Sequence, residues 1–220
     1  MQPVFIEARD IPDAWFQCVY NIFDKGRIYT IQQGSFAGNR RLEYEHITVR
    51  IIHPGARPLI PDMPSSINIP PPTDMEYVES YLEKLITSFK ADHEEYTYGE
   101  YLEPQIPKIV RLYKECGHNT NQGYMTVGDR ECLDLADPPC LRGIDTRILD
   151  GKLHFILYFR SWDLWAGFPS NLAALQLLKE DMAAQIGVGD GEIIAASKGM
   201  HLYDYVWDIA KLRTGCELKE

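Results

Sequence analysis

The chain has 220 residues, of which 45% are hydrophobic and 25% are charged, a composition typical of globular proteins. Its formal net charge of −10 excludes broad electrostatic binding to nucleic acid or to an anionic membrane, so a phosphorylated ligand would need local arginines. The length fits one domain over residues 1–220.

Cysteine spacing and apolar runs indicate the compartment. The five cysteines form no Cys-x-x-Cys pair, and the six histidines do not pair with them at zinc-ligand spacing, so we predict no metal site. No secretory signal opens the sequence, and no apolar run is long enough to span a membrane. We therefore expect a reduced, cytoplasmic protein without membrane partners.

The first part of the chain alternates between strand and helix patterns. Residues 3–8 and 27–31 predict strands, and residues 12–24 carry apolar side chains at helical spacing. Residues 41–52 are enriched in β-branched side chains and predict one long strand. The proline-rich stretch 54–72 has no period and predicts an irregular surface loop.

The next segment predicts a helix that begins with a capping box. Thr73 and Glu76 have the Thr-x-x-Glu spacing of such a box. The predicted apolar face of this helix consists of Val78, Leu82, Leu85 and Phe89. Glu79 and Glu83 lie near that face.

The second half predicts a hairpin between two helices. A helix is expected at about residues 105–116, and Asp150-Gly151 is a turn signal that joins two strands within residues 140–160. The second strand alternates apolar and polar positions and ends at Arg160. A helix after Pro169 is predicted to bury one stripe, formed by Leu172, Leu175, Leu178, Met182 and Ile186. A strand at 192–197 and a short last helix are expected to follow.

Five short motifs follow one another between residues 96 and 203. They are Tyr96-Thr97-Tyr98-Gly99, Pro138-Pro139-Cys140, Arg160-Ser161-Trp162-Asp163, Gly167-Phe168-Pro169-Ser170-Asn171 and His201-Leu202-Tyr203. In this order and at these intervals they resemble the catalytic half of thymidylate synthase. The resemblance is clear over residues 96–208 and weak in the N-terminal part.

This resemblance implies a fold, an activity and partners. The expected fold is α+β, with a mixed, largely antiparallel sheet covered by helices. The expected activity is that of a methyltransferase in dTMP biosynthesis, which methylates dUMP at C5. The donor would be a reduced pterin, either methylenetetrahydrofolate or methylene-tetrahydromethanopterin. The family is normally a homodimer with sheets packed back to back, and a monomer is the alternative.

The chemistry explains why a cysteine and an arginine are needed. Uracil C5 is a poor nucleophile until a thiolate adds to C6 and turns the ring into an enolate. The resemblance makes Cys140 this nucleophile and Arg160 the cation that favours the thiolate and binds phosphate. It places Tyr98 in a water network at the ring. Glu79 and Glu83 are candidates for proton transfer, with a solvated helix face as the simpler interpretation of both.

The resemblance also implies residues that bind the nucleotide. They are Ser161 at the phosphate, Asp163 at the ring, Asn171 at the pyrimidine edge, His201 with Tyr203 at the sugar 3′-hydroxyl, and Gly167 as a further substrate-binding residue. Asn171 can donate to O4 and accept from N3–H, which favours uracil. A helix N-cap is the alternative role for Asn171.

Three departures leave alternatives open. Thr120-Asn121-Gln122 stands where the family has an arginine pair, so the phosphate arginines are sought among Arg27, Arg40, Arg41, Arg130, Arg142 and Arg147. Leu141 replaces the usual histidine after the cysteine. No tryptophan-rich segment for the pterin is recognisable between Leu85 and Tyr96. The alternatives are a dUMP or dCMP hydroxymethylase and a non-catalytic pyrimidine nucleotide-binding protein.

Overall fold

The computed structural model describes residues 1–34, 36–63, 66, 69–90 and 94–218, and these contain ten strands and six α-helices. The strands are β1 (Pro3–Ala8), β2 (Arg27–Thr30), β3 (Arg40–Glu43), β4 (His46–Ile51), β5 (Tyr124–Thr126), β6 (Leu141–Leu149), β7 (Lys152–Phe159), β8 (Trp162–Asp163), β9 (Gly189–Ser197) and β10 (Met200–Tyr203). The helices are α1 (Ile11–Lys25), α2 (Met75–Ile86), α3 (Tyr98–Leu102), α4 (Ile106–Cys116), α5 (Gly167–Ile186) and α6 (Trp207–Thr214).

The strands form two sheets. The larger has the order β1-β4-β9-β7-β6-β5, and the smaller has the order β2-β3-β10-β8. Among the described residues, five of the eight strand pairings are antiparallel and three are parallel. The predicted α+β class, with mixed and largely antiparallel sheets covered by helices, is confirmed.

The hairpin of β6 and β7 aims Arg160 and Cys140 at the same end of the larger sheet. Asp150 and Gly151 both adopt positive φ, 49° and 69°, as a two-residue hairpin turn requires. From this turn β7 alternates buried and more exposed side chains and ends at Phe159. Arg160 donates its backbone N–H to the Cys140 carbonyl at 2.8 Å. The strand ends therefore hold the two residues side by side.

Helix α5 lies at the centre of the helical layer. It buries more of its surface than the single apolar stripe that the sequence predicts. Its buried residues include Ser170, Gln176 and Lys179 as well as the leucines. The Lys179 ammonium donates to the Gly191 carbonyl and, at 3.3 Å, to the Glu192 carbonyl. The pairing of β7 with β9 is irregular just there, so the lysine satisfies carbonyls that the sheet leaves open.

Residues 41–52 form two strands in different sheets, so the prediction of one strand is wrong. Strand β3 pairs with β2 and β10, whereas β4 pairs with β1 and β9. Tyr44, between them, is fully buried, its N–H donates to the Met200 carbonyl at 2.9 Å, and its hydroxyl donates to the Cys18 carbonyl at 2.7 Å. These long-range hydrogen bonds turn the chain at Tyr44, although the β propensity of tyrosine predicts that the strand continues.

The start of α2 also differs from its prediction. Asp74 is the N-cap, because its carboxylate accepts from the Tyr77 N–H at 2.8 Å, and the predicted box at Thr73 is not used. The helix ends at Ile86, so Phe89 lies beyond it and is 80% exposed. In the predicted loop 54–72, residues 64, 65, 67 and 68 lie outside the described residues. The described part contains neither α-helix nor β-strand.

Candidate active site

Four of the predicted site residues line one cavity of about 520 Å³. They are Cys140, Arg160, Ser161 and Tyr203. Cys140 immediately precedes β6, Arg160 and Ser161 connect β7 to β8, and Tyr203 ends β10. Because both sheets contribute residues, the cavity lies where the β7–β8 connection passes from one sheet to the other.

Arg160 is oriented by the chain that precedes the cysteine. Its Nε donates to the carbonyl oxygens of Pro138 at 3.0 Å and Pro139 at 3.2 Å, and Nη2 also donates to the Pro138 carbonyl. Asp137 forms an ion pair with the same guanidinium at 3.6 Å. The two prolines before Cys140 thus offer carbonyls that need no partner in a strand ladder, and they hold the cation beside the thiol.

The pKa of the Cys140 thiol is raised, whereas the sequence argument calls for a lowered one. Burial raises it most, the Arg160 charge lowers it, and the Asp137 carboxylate raises it again. Burial outweighs the cation because the thiol sits among apolar neighbours.

Asp163, Gly167 and Asn171 are grouped at the N-terminus of α5. The Asp163 carboxylate accepts from three backbone N–H groups, those of Trp165 at 3.1 Å, Ala166 at 3.1 Å and Gly167 at 2.9 Å. A Cβ at Gly167 would lie 3.2 Å from the Asp163 Cβ, so the turn leaves little room for a side chain there. Asp163 and Gly167 line a neighbouring cavity of about 390 Å³.

The Asn171 side chain is held by the Trp162 indole. Trp162 Nε1 donates to Asn171 Oδ1 at 3.0 Å, so the amide N–H₂ group takes no part in this bond, and Asn171 lines none of the cavities found in the described residues. Ala166 is the N-cap of α5, and Asn171 lies inside the helix, so its interpretation as a cap is wrong. Trp162 itself stacks on Phe159 at 3.9 Å between ring centroids. The stacked Trp162 ring therefore fixes the orientation of the Asn171 amide.

His201 offers a buried hydrogen-bond acceptor beside Tyr203. Its Nδ1 lies 2.8 Å from the Gly199 carbonyl, and since a carbonyl only accepts, Nδ1 carries the proton. Nε2 is then an acceptor, and it has no hydrogen-bond partner within the described part of the chain. The rings of His201 and Tyr203 meet edge to face at 4.5 Å. His201 is 1% exposed and, unlike Tyr203, lines none of the cavities found in the described residues.

Acidification is expected to destabilise the protein through His201. Burial lowers its pKa from 6.5 to about 4, so the unfolded chain takes up the proton first as the pH falls. The stabilisation is complete above pH 6.5 and is lost as the pH falls to 4, on the order of 3 kcal/mol. Chemical denaturation at about pH 7 and about pH 4.5 should show a smaller loss for His201→Gln than for the wild type; equal losses would contradict this.

Six arginines are the candidates for binding the phosphate. Among them, Arg41 alone lines the Cys140 cavity in the described structure. It forms an ion pair with Glu43 at 2.6 Å. Arg27 pairs with Glu45, Arg40 pairs with Asp204, and Arg130 is 91% exposed beside Glu131. Arg41 and Arg160 are therefore the two cations of this cavity.

Tyr98 lies in a cluster of tyrosines next to Cys140. It lines a small adjoining cavity of about 200 Å³ together with Tyr81 and Tyr96, and its ring contacts theirs at 5.9 Å and 5.7 Å. Burial raises the pKa of Tyr98, while a hydrogen bond with the Leu141 backbone lowers it. The structure thus places Tyr98 at the cysteine, although the main cavity is lined by its neighbour Tyr96.

The structure also shows residues that the sequence patterns did not single out. Phe36, Glu94, Tyr96 and Asp137 line the Cys140 cavity, and Phe36 stacks on Tyr203 at 4.6 Å. Two of them have a hint in the sequence, because Asp137 directly precedes the Pro-Pro-Cys motif and Tyr96 begins the Tyr-Thr-Tyr-Gly motif. Glu79 and Glu83, in contrast, are exposed on α2 and line none of the cavities found in the described residues.

Metal-binding clusters and membrane-spanning helices are both absent from the described residues. These residues contain no group of His, Cys, Asp and Glu side chains arranged to hold a metal ion. Within the same residues, no helix has both the length and the apolar character needed to span a membrane.

Comparison with known proteins agrees with the motifs and the fold. The thymidylate synthase family model matches residues 95–215, more than half of the chain. Proteins named "Putative thymidylate synthase" match almost end to end. The one from Methanococcoides burtonii is 30% identical over 96% of this chain and 95% of its own length. Those from Methanosarcina acetivorans (29%; 94% and 92%) and Methanothermobacter thermautotrophicus (26%; 90% and 93%) are similar.

A concave site lined by a thiol and two guanidiniums suits a small anionic ligand. The chain belongs to the thymidylate synthase family. Membership makes it a methyltransferase of dTMP biosynthesis, in a family that binds dUMP and uses a folate-type one-carbon donor. The family prediction made from the motifs is confirmed.

Proposed function

We propose that this protein converts dUMP to dTMP in the cytoplasm, through a covalent bond between Cys140 and C6 of the pyrimidine. The observation that carries the proposal is the cavity in which Cys140, Arg160, Ser161 and Tyr203 meet. A thiol, two arginines and hydroxyl groups in one concave site suit a nucleotide whose ring must be attacked while its phosphate is held.

The phosphate is bound by Arg160, Arg41 and Ser161. Both guanidiniums and the serine line the same cavity, and charge-assisted hydrogen bonds from arginine to phosphate are strong. Asp137 stands beside Arg160, so the phosphate competes with this carboxylate for the guanidinium. The site therefore needs no long-range attraction from a chain whose net charge is −10.

The sugar and the ring are oriented by residues of β10 and of the first turns of α5. His201 Nε2 accepts a hydrogen bond from the 3′-hydroxyl, and the Tyr203 ring packs on the same side of the sugar. The Asn171 amide donates to O4, where negative charge develops when the thiolate adds to C6. Addition to C6 makes C5 an enolate carbon, which attacks the methylene group of the donor.

The nucleotide specificity is expected to depend on Asn171. In Asn171→Asp, one carboxylate oxygen keeps the bond from Trp162, but the other presents an acceptor where the amide presented a donor. We expect kcat/KM for dUMP to fall by about 10²-fold and the preference to move towards dCMP, whose 4-amino group donates. Steady-state assays with both nucleotides test this, and an unchanged ratio would remove Asn171 from base recognition.

The one-carbon donor is a reduced pterin, either methylenetetrahydrofolate or methylene-tetrahydromethanopterin. The cavity beside Asp163 and Gly167 is the place we propose for its ring. Pro71, Pro72, Thr73 and Tyr77 form its other wall, and the buried Thr73 hydroxyl has no hydrogen-bond partner within the described residues. This wall takes the place of the tryptophan-rich segment that the sequence lacks.

Product mass tests the proposal. The protein is incubated with dUMP and each of the two donors, and the nucleotide is analysed by mass spectrometry. The methylated nucleotide dTMP is the expected product. A product heavier by one oxygen would show a hydroxymethylase instead.

One observation favours a second candidate, a non-catalytic pyrimidine nucleotide-binding protein. The raised pKa of Cys140 makes the resting thiol a poor nucleophile. Binding of dUMP without turnover with either donor would support this candidate.

We further propose a homodimer formed by the outer face of the larger sheet. Phe5 and Tyr158 lie in one cross-strand row and Ile156 and Tyr124 in the next, and all four are exposed, by 65%, 40%, 39% and 52%. An apolar sheet face of this kind is typical of a protein interface. Light scattering should give twice the mass of one chain for the wild type and a single-chain mass for Tyr158→Asp. A monomeric wild type would exclude the dimer.

A further inference from the structure

Both arginines of the proposed phosphate site are already paired with carboxylates. Arg41 forms an ion pair with Glu43 at 2.6 Å, and Arg160 forms one with Asp137 at 3.6 Å. A nucleotide phosphate is mostly a dianion at neutral pH, because its second pKa is about 6. A phosphate that binds here therefore adds two negative charges to guanidiniums that each have an acidic partner.

The two carboxylates differ in their access to water. The Asp137 side chain is 53% exposed, so water can solvate its charge when a phosphate competes for Arg160. The Glu43 side chain is only 10% exposed, and water solvates its charge far less. Glu43 is therefore the carboxylate whose ionised form is destabilised more when an anion binds nearby.

The ionised form of Glu43 depends on the charge of Arg41. Burial raises the pKa of Glu43, while the charge of Arg41 and then that of Lys198 lower it. Glu43 Oε2 and Arg41 Nε each lack a hydrogen-bond partner within the described residues, so charge and not an aligned hydrogen bond holds the pair. A Cβ at Gly199 would lie 3.5 Å from Oε2, so this oxygen rests against the turn before β10. A phosphate that shares the Arg41 guanidinium thus weakens the main support of the ionised form.

The other charged and titratable neighbours do not replace Arg41 in this role. The residues directly opposite Glu43 in the smaller sheet are Arg27 on β2 and His201 on β10. Arg27 is paired with Glu45 at 2.9 Å, and His201 is neutral near neutral pH because burial lowers its pKa to about 4. Asp163 follows His201 in the same cross-strand row, and its carboxylate adds negative charge.

We propose, on the basis of the function proposed above, that Glu43 takes up a proton when the phosphate of dUMP binds at Arg41 and Arg160. The proton comes from the solvent and bonds to a carboxylate oxygen, and no bond of the nucleotide is made or broken. The neutral carboxyl group then leaves the charge of Arg41 to the phosphate. Because the proton and dUMP bind together, the affinity for dUMP falls as the pH rises above neutrality.

Calorimetric titration counts the protons. The nucleotide dUMP is titrated into the protein at about pH 7 in two buffers that differ in their heat of ionisation, and the difference in the measured heats gives the number of protons taken up. At this pH the phosphate and the Cys140 thiol can release protons on binding but not take them up, so uptake has the opposite sign. Deoxyuridine, which lacks the phosphate, is the control ligand.

Two glutamine variants locate the proton. Glu43→Gln imitates the neutral carboxyl group and leaves an amide oxygen beside Arg41. Glu45→Gln makes the same chemical change two residues further along, at a side chain that lines none of the cavities found in the described residues. The formation of dTMP is measured with the wild-type protein and with both variants.

We expect the wild type and Glu45→Gln to take up about 0.5 to 1 proton per dUMP at about pH 7, and to take up none with deoxyuridine. Their dissociation constant for dUMP should rise about threefold or more between about pH 7 and about pH 8. Glu43→Gln should bind dUMP without proton uptake, with a dissociation constant that changes less than about twofold over this range.

The wild-type titration alone can overturn the inference, whether or not the variants fold. Binding of dUMP without proton uptake would do so, and so would equal uptake with deoxyuridine. Undiminished uptake in Glu43→Gln, or its loss in Glu45→Gln, would assign the proton to another group. If the wild type forms dTMP but takes up no proton, this inference alone fails, whereas absence of both dUMP binding and turnover would overturn the proposed function itself.

Discussion

Replacement of Cys140 by serine is expected to abolish dTMP formation, with a loss of about 10⁴-fold or more. A serine hydroxyl in the same apolar surroundings has no accessible anion at neutral pH, so the addition to C6 that starts the reaction does not occur. Binding of dUMP should persist, because the phosphate contacts proposed for Arg41, Arg160 and Ser161 do not involve the thiol. Turnover assays and calorimetric titration with dUMP measure the two effects.

Cys116→Ser is the matched control. Cys116 ends α4 and is exposed, so its replacement makes the same chemical change far from the cavity lining and should leave turnover unchanged. If Cys140→Ser kept a tenth or more of the wild-type rate, Cys140 would not be the nucleophile.

Replacement of Arg160 by methionine is expected to lower kcat/KM by about 10³-fold. The change removes the proposed phosphate contact and leaves the Pro138 and Pro139 carbonyls without their donor. It also removes the Arg160 charge, which lowers the pKa of Cys140. We therefore expect a higher KM and a higher pKa of the Cys140 thiol. Alkylation of Cys140 as a function of pH should show a higher thiol pKa in the variant.

Arg142→Met is the control for this change. Arg142 packs beside Gly128 and Cys132 and does not line the Cys140 cavity. It should leave KM and the alkylation profile as in the wild type. An Arg160→Met enzyme with an unchanged alkylation profile would show that the arginine binds phosphate alone.

The elements that could be predicted are those specified by local chemistry. Asp150-Gly151 adopts the two positive φ angles that a hairpin needs, and the alternation along β7 places Arg160 at the strand end. Cys140 and Tyr203 could be connected because their motifs follow the order of a known family. The motif order thus predicted a group of residues of which Cys140, Arg160, Ser161 and Tyr203 line one cavity, while their roles stay predictions.

The predictions fail where contacts between distant parts of the chain determine the structure. Tyr44 ends β3 because its partners are Met200 and Cys18, which no local pattern indicates. Lys179 is buried because an irregularity in β9 leaves carbonyls to satisfy. Glu94 reaches the Cys140 cavity from a turn without any periodicity. The pKa of Cys140 likewise depends on burial by several elements, so a neighbouring arginine alone predicted the wrong direction.

An intact-mass measurement with 5-fluoro-dUMP tests the central claim most directly. The protein is incubated with this nucleotide and with methylenetetrahydrofolate or methylene-tetrahydromethanopterin, beside Cys140→Ser as control. We predict a covalent complex of protein, nucleotide and donor that forms with the correct pterin and is absent from the serine variant. Binding of the nucleotide without any covalent complex, with either donor, would contradict catalysis through Cys140.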